Sequence, residues 1–190
     1  MLIRKDQINL VSVSNPILHS KPDLYDFKDN DGEFFANILF SKMKELGGVG
    51  LSANQVGVNA RVFVMGLDDV TRINVFNPEI LEYLGDEVVL NEGCLSYPGL
   101  FMHIKRPQGV KVKYQDQNGE HCETVLSGLT ARIFLHEYDH MMGIDFTSRV
   151  SKLKLELAKK KYLNKRKKVI RKHAINTLVK ALQETKDLDQ

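Results

Sequence analysis

Leu135-His136-Glu137-Tyr138-Asp139-His140 is the stretch from which the rest of the chain is read. As a helix it sets His136 and His140 one turn apart on one face. Two imidazoles at that spacing can chelate one divalent cation, and a glutamate beside the first histidine is placed to handle a proton of the water that the cation activates. Helix is the expected state. Leu129, Ile133, His136 and His140 follow at intervals of four, three and four, so the histidines continue an apolar, inward-facing stripe. Ser127 suits the N-cap and Gly143 the stop.

Two ligands do not complete a catalytic site, which wants three protein ligands and one open position. Downstream, the longer pattern H-E-x-x-H-x-x-G-x-x-H holds as far as Gly143, but its third histidine falls at Phe146, which has no lone pair to give. Asp145 is one residue out of register. The third ligand is therefore sought upstream.

The 190 residues are enough for one core with a short appendage. Charged residues at 27% and hydrophobic residues at 43% are ordinary for a globular protein. No apolar run approaches the roughly 18–20 residues of a membrane helix. The N-terminal stretch has no long apolar segment and carries Asp6 early, so a cytoplasmic protein with no membrane partner is expected. Cys94 and Cys122 are too few for a disulfide framework and are expected as thiols. Residues 1–150 hold 14 Lys and Arg against 20 Asp and Glu, whereas residues 151–190 hold 13 against 4. An acidic body and a basic tail point to separate roles, 1–150 catalytic and 151–190 a helical extension.

Upstream, Asn15-Pro16 marks a turn, and Phe34, Phe35, Ile38, Leu39, Met43 and Leu46 recur at helical spacing from Gly32 until Gly47-Gly48 ends the pattern. The glycine-rich run 47–57 lets backbone come close to another backbone or a ligand, and read alone is a loop joining helix to strand. It is no phosphate loop, because no Lys-Ser/Thr follows the glycines. Short strands are predicted at 61–65, 73–76, 87–90, 110–114 and 122–125, the last two joined by a hairpin at Asn118-Gly119. Cys122 then belongs to a hairpin strand. Cys94 is different: it lies in Asn91-Glu92-Gly93-Cys94-Leu95-Ser96-Tyr97-Pro98-Gly99, among turn residues and an acid. A thiolate there is a good ligand for zinc or iron, and as a nucleophile it would want a histidine base and no metal pair.

Taken together, Gly48-Val49-Gly50-Leu51-Ser52-Ala53-Asn54-Gln55, Glu92-Gly93-Cys94-Leu95-Ser96 and His136-Glu137-Tyr138-Asp139-His140 resemble, in order and separation, the three linked motifs of the peptide deformylase family. The resemblance spans about residues 5–160. It implies an α+β fold, antiparallel β-sheets around a central metal-binding helix with a C-terminal helix. It implies one divalent metal ion held by Cys94, His136 and His140, ferrous iron natively, with zinc or nickel able to replace it. The implied reaction removes the N-formyl group from the initiator methionine of new proteins and releases formate. Glu137 would move the proton, the Gln55 amide and the Leu95 backbone N–H would face the oxyanion, Gly50 would offer its backbone to the peptide, and Val49, Leu90, Leu129 and Ile133 would line the methionine pocket. One oxyanion donor can be worth ~3 kcal/mol. Three positions depart from the family pattern: Leu135 where glutamine is usual, Ser52 where alanine is common, and Phe101-Met102-His103 where some members carry an arginine.

Two rival functions use the same residues. A metallopeptidase would take Asp145 as third ligand and ignore Cys94. A catalytically idle module would bind RNA through the basic tail. From Lys152 to Lys172 that tail carries eleven Lys and Arg against Glu156 alone, with Leu153 and Leu157 one turn apart and Ile170, Ala174, Leu178 and Leu182 in an i, i+4 row. For an enzyme acting on nascent chains, the resemblance makes ribosomal RNA the expected partner of this helix.

Overall fold

A computed structural model describes residues 8–28 and 30–188, with the side chains of 169, 170 and 173–188 excepted. The elements run α1 (Gly32–Glu45), β1 (Gly50–Ser52), β2 (Val62–Met65), β3 (Ile73–Gly93), β4 (Phe101–Gln115), β5 (His121–Ser127), α2 (Gly128–Met141) and α3 (Lys152–Leu188). Short 3-10 turns lie at Pro16–His19, Ala53–Val56 and Phe146–Arg149. The five strands form one antiparallel sheet in sequence order.

β2 explains how two layers share that sheet. Its four residues are all buried, and they alternate as a strand must. Val62 and Val64 join Leu39, Met43 and Leu51 in a cluster beneath α1, while Phe63 and Met65 join Val110, Val112, Phe134 and Leu135 in a cluster beneath α2. The helix predicted at 32–46 is present, but of its adjacent phenylalanines Phe35 is buried and Phe34 is exposed. Asp31 caps it, its Oδ1 accepting from the Phe34 amide at 2.9 Å.

The separate strands expected at 73–76 and 87–90 are the two ends of β3, so the antiparallel sheets expected from the sequence are joined into one. Asn77-Pro78 and Gly85-Asp86 read as chain breaks, yet they act as irregularities inside the strand. Asn77 takes φ +50° and Gly85 φ +70°, and the pairing with β4 shifts register at Phe76/Glu79 and at Leu84/Glu87. The run 47–57, which reads as a loop, folds into β1 and a buried 3-10 turn. The hairpin at Asn118-Gly119 joins β4 to β5, with Gly119 at φ +83° and Cys122 opposite Tyr114.

α2 begins after Ser127, although the Ser127 side chain makes no capping bond. Its stripe is apolar and inward only in part: His136 and His140 are buried, Ile133 is half-buried and Leu129 is exposed. α3 packs on the rest through Leu155 and Ala158, which touch a small cluster of Cys94, Leu100, Met102, Ile104 and Phe146. Leu153 and Leu157, whose spacing predicts the helix, are exposed. The row Ile170, Ala174, Leu178 and Leu182 lies outside the described side chains. Among the described residues no helix is long and apolar enough to cross a membrane.

Candidate active site

The connection from β3 to β4 and the middle of α2 meet at Cys94, His136 and His140, all buried, whose ligand atoms lie within 4.8 Å of one another. Cys94 Sγ is 3.4 Å from His140 Nε2. Asp145, the rival third ligand, is used elsewhere. It caps the 3-10 turn at Phe146–Arg149 through the Thr147 amide at 2.7 Å and accepts from the Tyr97 hydroxyl.

Glu92, two residues before Cys94, organises the back of this site. Its Oε2 stands 3.0 Å from His136 Nδ1, and its Oε1 accepts from Arg106 Nε and from Arg132, both at 2.8 Å. Burial alone would raise the Glu92 carboxyl, but the hydrogen bonds from His136, Arg106 and Arg132 hold it down at about 2. Arg106 also reaches Asp139 Oδ2 at 2.7 Å and the Leu135 carbonyl at 3.2 Å, and Arg149 closes on Asp139 from the segment before α3. The Asn54 amide donates to the His140 carbonyl at 2.8 Å. Burial, then the charges of His136 and Arg106, depresses His140 to about 3, which keeps it in the neutral form a ligand needs. His136 behaves oppositely: burial would lower it, but Cys94 and Glu92 raise it to about 10.

β1 and the turn after it form the facing wall. Gly50 lies against Glu137, whose carboxylate occupies the space a Cβ would need. Ser52 Oγ donates to Glu137 Oε2, and Gln55 is pinned by its own Oε1 accepting from the Ser52 amide at 2.9 Å. This turns Gln55 Nε2 toward Ser96 Oγ at 3.0 Å and Cys94 Sγ at 3.4 Å. Burial raises the proton affinity of Glu137, opposed by His136 and by the Ser52 hydroxyl.

A cleft of about 580 Å³ opens over these groups. Val49, Gly50, Leu95, Leu129, Ile133, His136 and Glu137 line it. Leu90 does not. The β3 wall of the cleft starts at Asn91, and Leu90 lies one residue short of it, 43% exposed. Sequence reading missed Arg106, Arg132, Asp139, Asn54 and Ser96 as parts of the site. Arg132 carries a signal in retrospect, a lone arginine between Ala131 and Ile133, whereas Arg106, between Lys105 and Pro107, carries none.

Residues 8–156 match the family model described as polypeptide deformylase. A peptide deformylase of Thermotoga petrophila is 39% identical over 150 residues, covering 79% of this chain and 91% of the relative. The crystal structure of a peptide deformylase from Synechococcus elongatus, in complex with actinonin, aligns with a TM-score of 0.76 at 33% identity, covering 82% of this chain and 85% of that one. That of the Thermotoga maritima peptide deformylase gives 0.72 at 37% identity, covering 76% and 97%. Fold, ligand group and relatives agree: the chain belongs to the polypeptide deformylase family, hydrolases that remove the N-formyl group from nascent peptides.

Proposed function

We propose that this chain cleaves the formamide bond of N-formyl-methionyl nascent peptides at Cys94, His136 and His140, releasing formate. The observation that carries it is the convergence of one thiol and two imidazoles within 4.8 Å, with Glu137 on the same helix. A soft thiolate with two imidazoles suits iron or zinc, and Glu92 on His136 Nδ1 leaves the other ring nitrogen for the cation. Ferrous iron is the proposed native ion, with zinc or nickel as substitutes. When bound, the ion acts as a Lewis acid and lowers the pKa of water toward ~7.

The side chains do the rest. Glu137 takes the proton of the attacking water and passes it to the leaving amine. Gln55 Nε2, fixed by Ser52, and the Leu95 amide donate to the oxyanion. β1 is an edge strand, so Gly50 can pair with an extended peptide by backbone alone, a mode that tolerates varied sequences. Val49, Leu129 and Ile133 offer an apolar wall to the methionine side chain.

Residues 1–150 are proposed as the catalytic unit and 151–190 as the extension, with Leu155 and Ala158 docking the extension onto it. The face of α3 bearing Lys152, Lys160 and Lys167, all exposed, is proposed to contact ribosomal RNA in the cytoplasm. Salt-sensitive co-sedimentation with ribosomes that survives loss of these three lysines would remove that contact.

The deciding experiment is formate release from formyl-Met-Ala by anaerobically purified protein with its metal assayed. About one ion per chain is expected, lost in Cys94→Ala, His136→Ala and His140→Ala. Full occupancy without Cys94, or no formate from the loaded protein, overturns the assignment.

A further inference from the structure

Beside the cleft lies a groove of about 520 Å³ between the β3–β4 connection and α3. It shares Asn91, Gly99 and Phe101 with the cleft, so the two concavities adjoin. Two glycines shape the junction. Gly93 pairs with Phe101 across the β3–β4 ladder, and a Cβ on Gly93 would lie 2.7 Å from the Phe101 ring. Gly99 takes φ +80°, and a Cβ there would lie 2.6 Å from Tyr162 on α3. Each glycine therefore seats an aromatic ring, and Phe101 is left 59% exposed between the two hollows.

The α3 wall of the groove is positive. Lys154, Lys161 and Lys165 line it at intervals of seven and four, on one helix face with Leu157 and Ala158. Among the described residues none of these three ammoniums pairs with a carboxylate, whereas Lys159, on another face, is 3.1 Å from Glu156. Among the described residues no acidic side chain lines the groove. An extended peptide whose formylmethionine sits at the ligand group must leave the cleft, and the groove adjoins the cleft at Phe101.

We propose that the groove is an extended substrate site, in which Lys154, Lys161 and Lys165 select nascent peptides carrying acidic side chains downstream of the formylmethionine. The inference rests on reading the cleft as the formyl-peptide site. Phosphates could meet the same lysines, but the apolar floor of Phe101 and Leu157 gives a phosphate backbone nothing and gives peptide side chains a surface.

The test compares three substrates on the metal-loaded full chain: formyl-Met-Ala, a formyl hexapeptide with serines after Met-Ala, and the same hexapeptide with two of those serines replaced by glutamate. The acidic hexapeptide should show about fivefold higher kcat/KM than the neutral one, through KM and shrinking with salt. In the triple variant Lys154→Gln, Lys161→Gln, Lys165→Gln the two hexapeptides should become equivalent. The triple variant Lys152→Gln, Lys160→Gln, Lys167→Gln, on the other face, should keep the preference. Equal rates in the wild type, a preference that survives in the groove variant, or equal loss in both variants overturns the proposal. So does a groove variant that loses RNA binding yet keeps the preference, which would assign the lysines to nucleic acid. If the loaded wild type releases formate from none of the three, the reading of the catalytic site itself has failed.

Discussion

Ser52 Oγ lies 2.5 Å from Glu137 Oε2, a buried hydrogen bond between strand β1 and the helix that carries His136 and His140. It joins residues 85 apart in sequence. Removing the hydroxyl leaves a buried carboxylate with one donor fewer. Ser52→Ala should therefore lower the stability of the metal-loaded protein by about 2 kcal/mol. Urea denaturation measures it, with metal content expected to stay at the wild-type level. An unchanged midpoint would show that the bond contributes nothing to the fold.

Glu137→Gln keeps the volume and the Ser52 contact but cannot accept a proton. The variant should hold its ion and lose roughly 10²–10⁴-fold in kcat. Steady-state rates on formyl-Met-Ala, normalised to metal content, decide it. Near wild-type turnover would move the base elsewhere.

Glu92 binds Arg106, Arg132 and His136 at once, and all four side chains are nearly inaccessible. Glu92→Gln puts an amide between Arg132, which loses its counter-charge, and Arg106, which keeps Asp139. Stability should fall by about 3–5 kcal/mol, and metal affinity by roughly 10–100-fold because His136 loses the partner that orients it. Denaturation and competition with a chelator read the two effects separately. A fully stable variant with unaltered affinity would contradict both.

Gln55 is held at both ends of its amide, so little needs to move for it to meet an oxyanion. Gln55→Leu should lower kcat by roughly 10²–10³-fold with a smaller change in KM. An effect confined to KM would place Gln55 in ground-state binding.

A chain ending after Lys168 keeps every described contact of Leu155, Ala158 and Tyr162. It should hydrolyse formyl-Met-Ala at the full rate. A chain ending after Val150 uncovers the cluster around Phe146 and Met102 and should lose about 2–4 kcal/mol. Equal stability of the two would mean that α3 is not part of the core.

That His136 and His140 share one helix face was legible from spacing, whereas bringing Cys94 to them rested on the resemblance of three linked motifs. The helix state of α2 was legible from spacing alone. What escaped has a physical reason in each case. β3 reads as two strands because Asn77-Pro78 and Gly85 are residues of turns, and nothing local says that a bulge absorbs them. Run 47–57 reads as a loop because much of its burial comes from α2, which is distant in sequence. Leu153 and Leu157 have the right period but the wrong phase: the core sits under Leu155 and Ala158, and only the position of Phe146 fixes that. Arg106 and Asp139 meet through the fold, 33 residues apart, where no pattern links them.

The fit of Gly50 against Glu137 has a bearing on drug resistance. A side chain added at position 50 would push the Glu137 carboxylate off its place, so a variant that escapes an inhibitor there should lose activity with it. Inhibitors that hydrogen-bond the main chain of residue 50 would rest on a position that is costly to change, while Val49 and Leu129, both exposed at the rim, are where resistant variants should be sought.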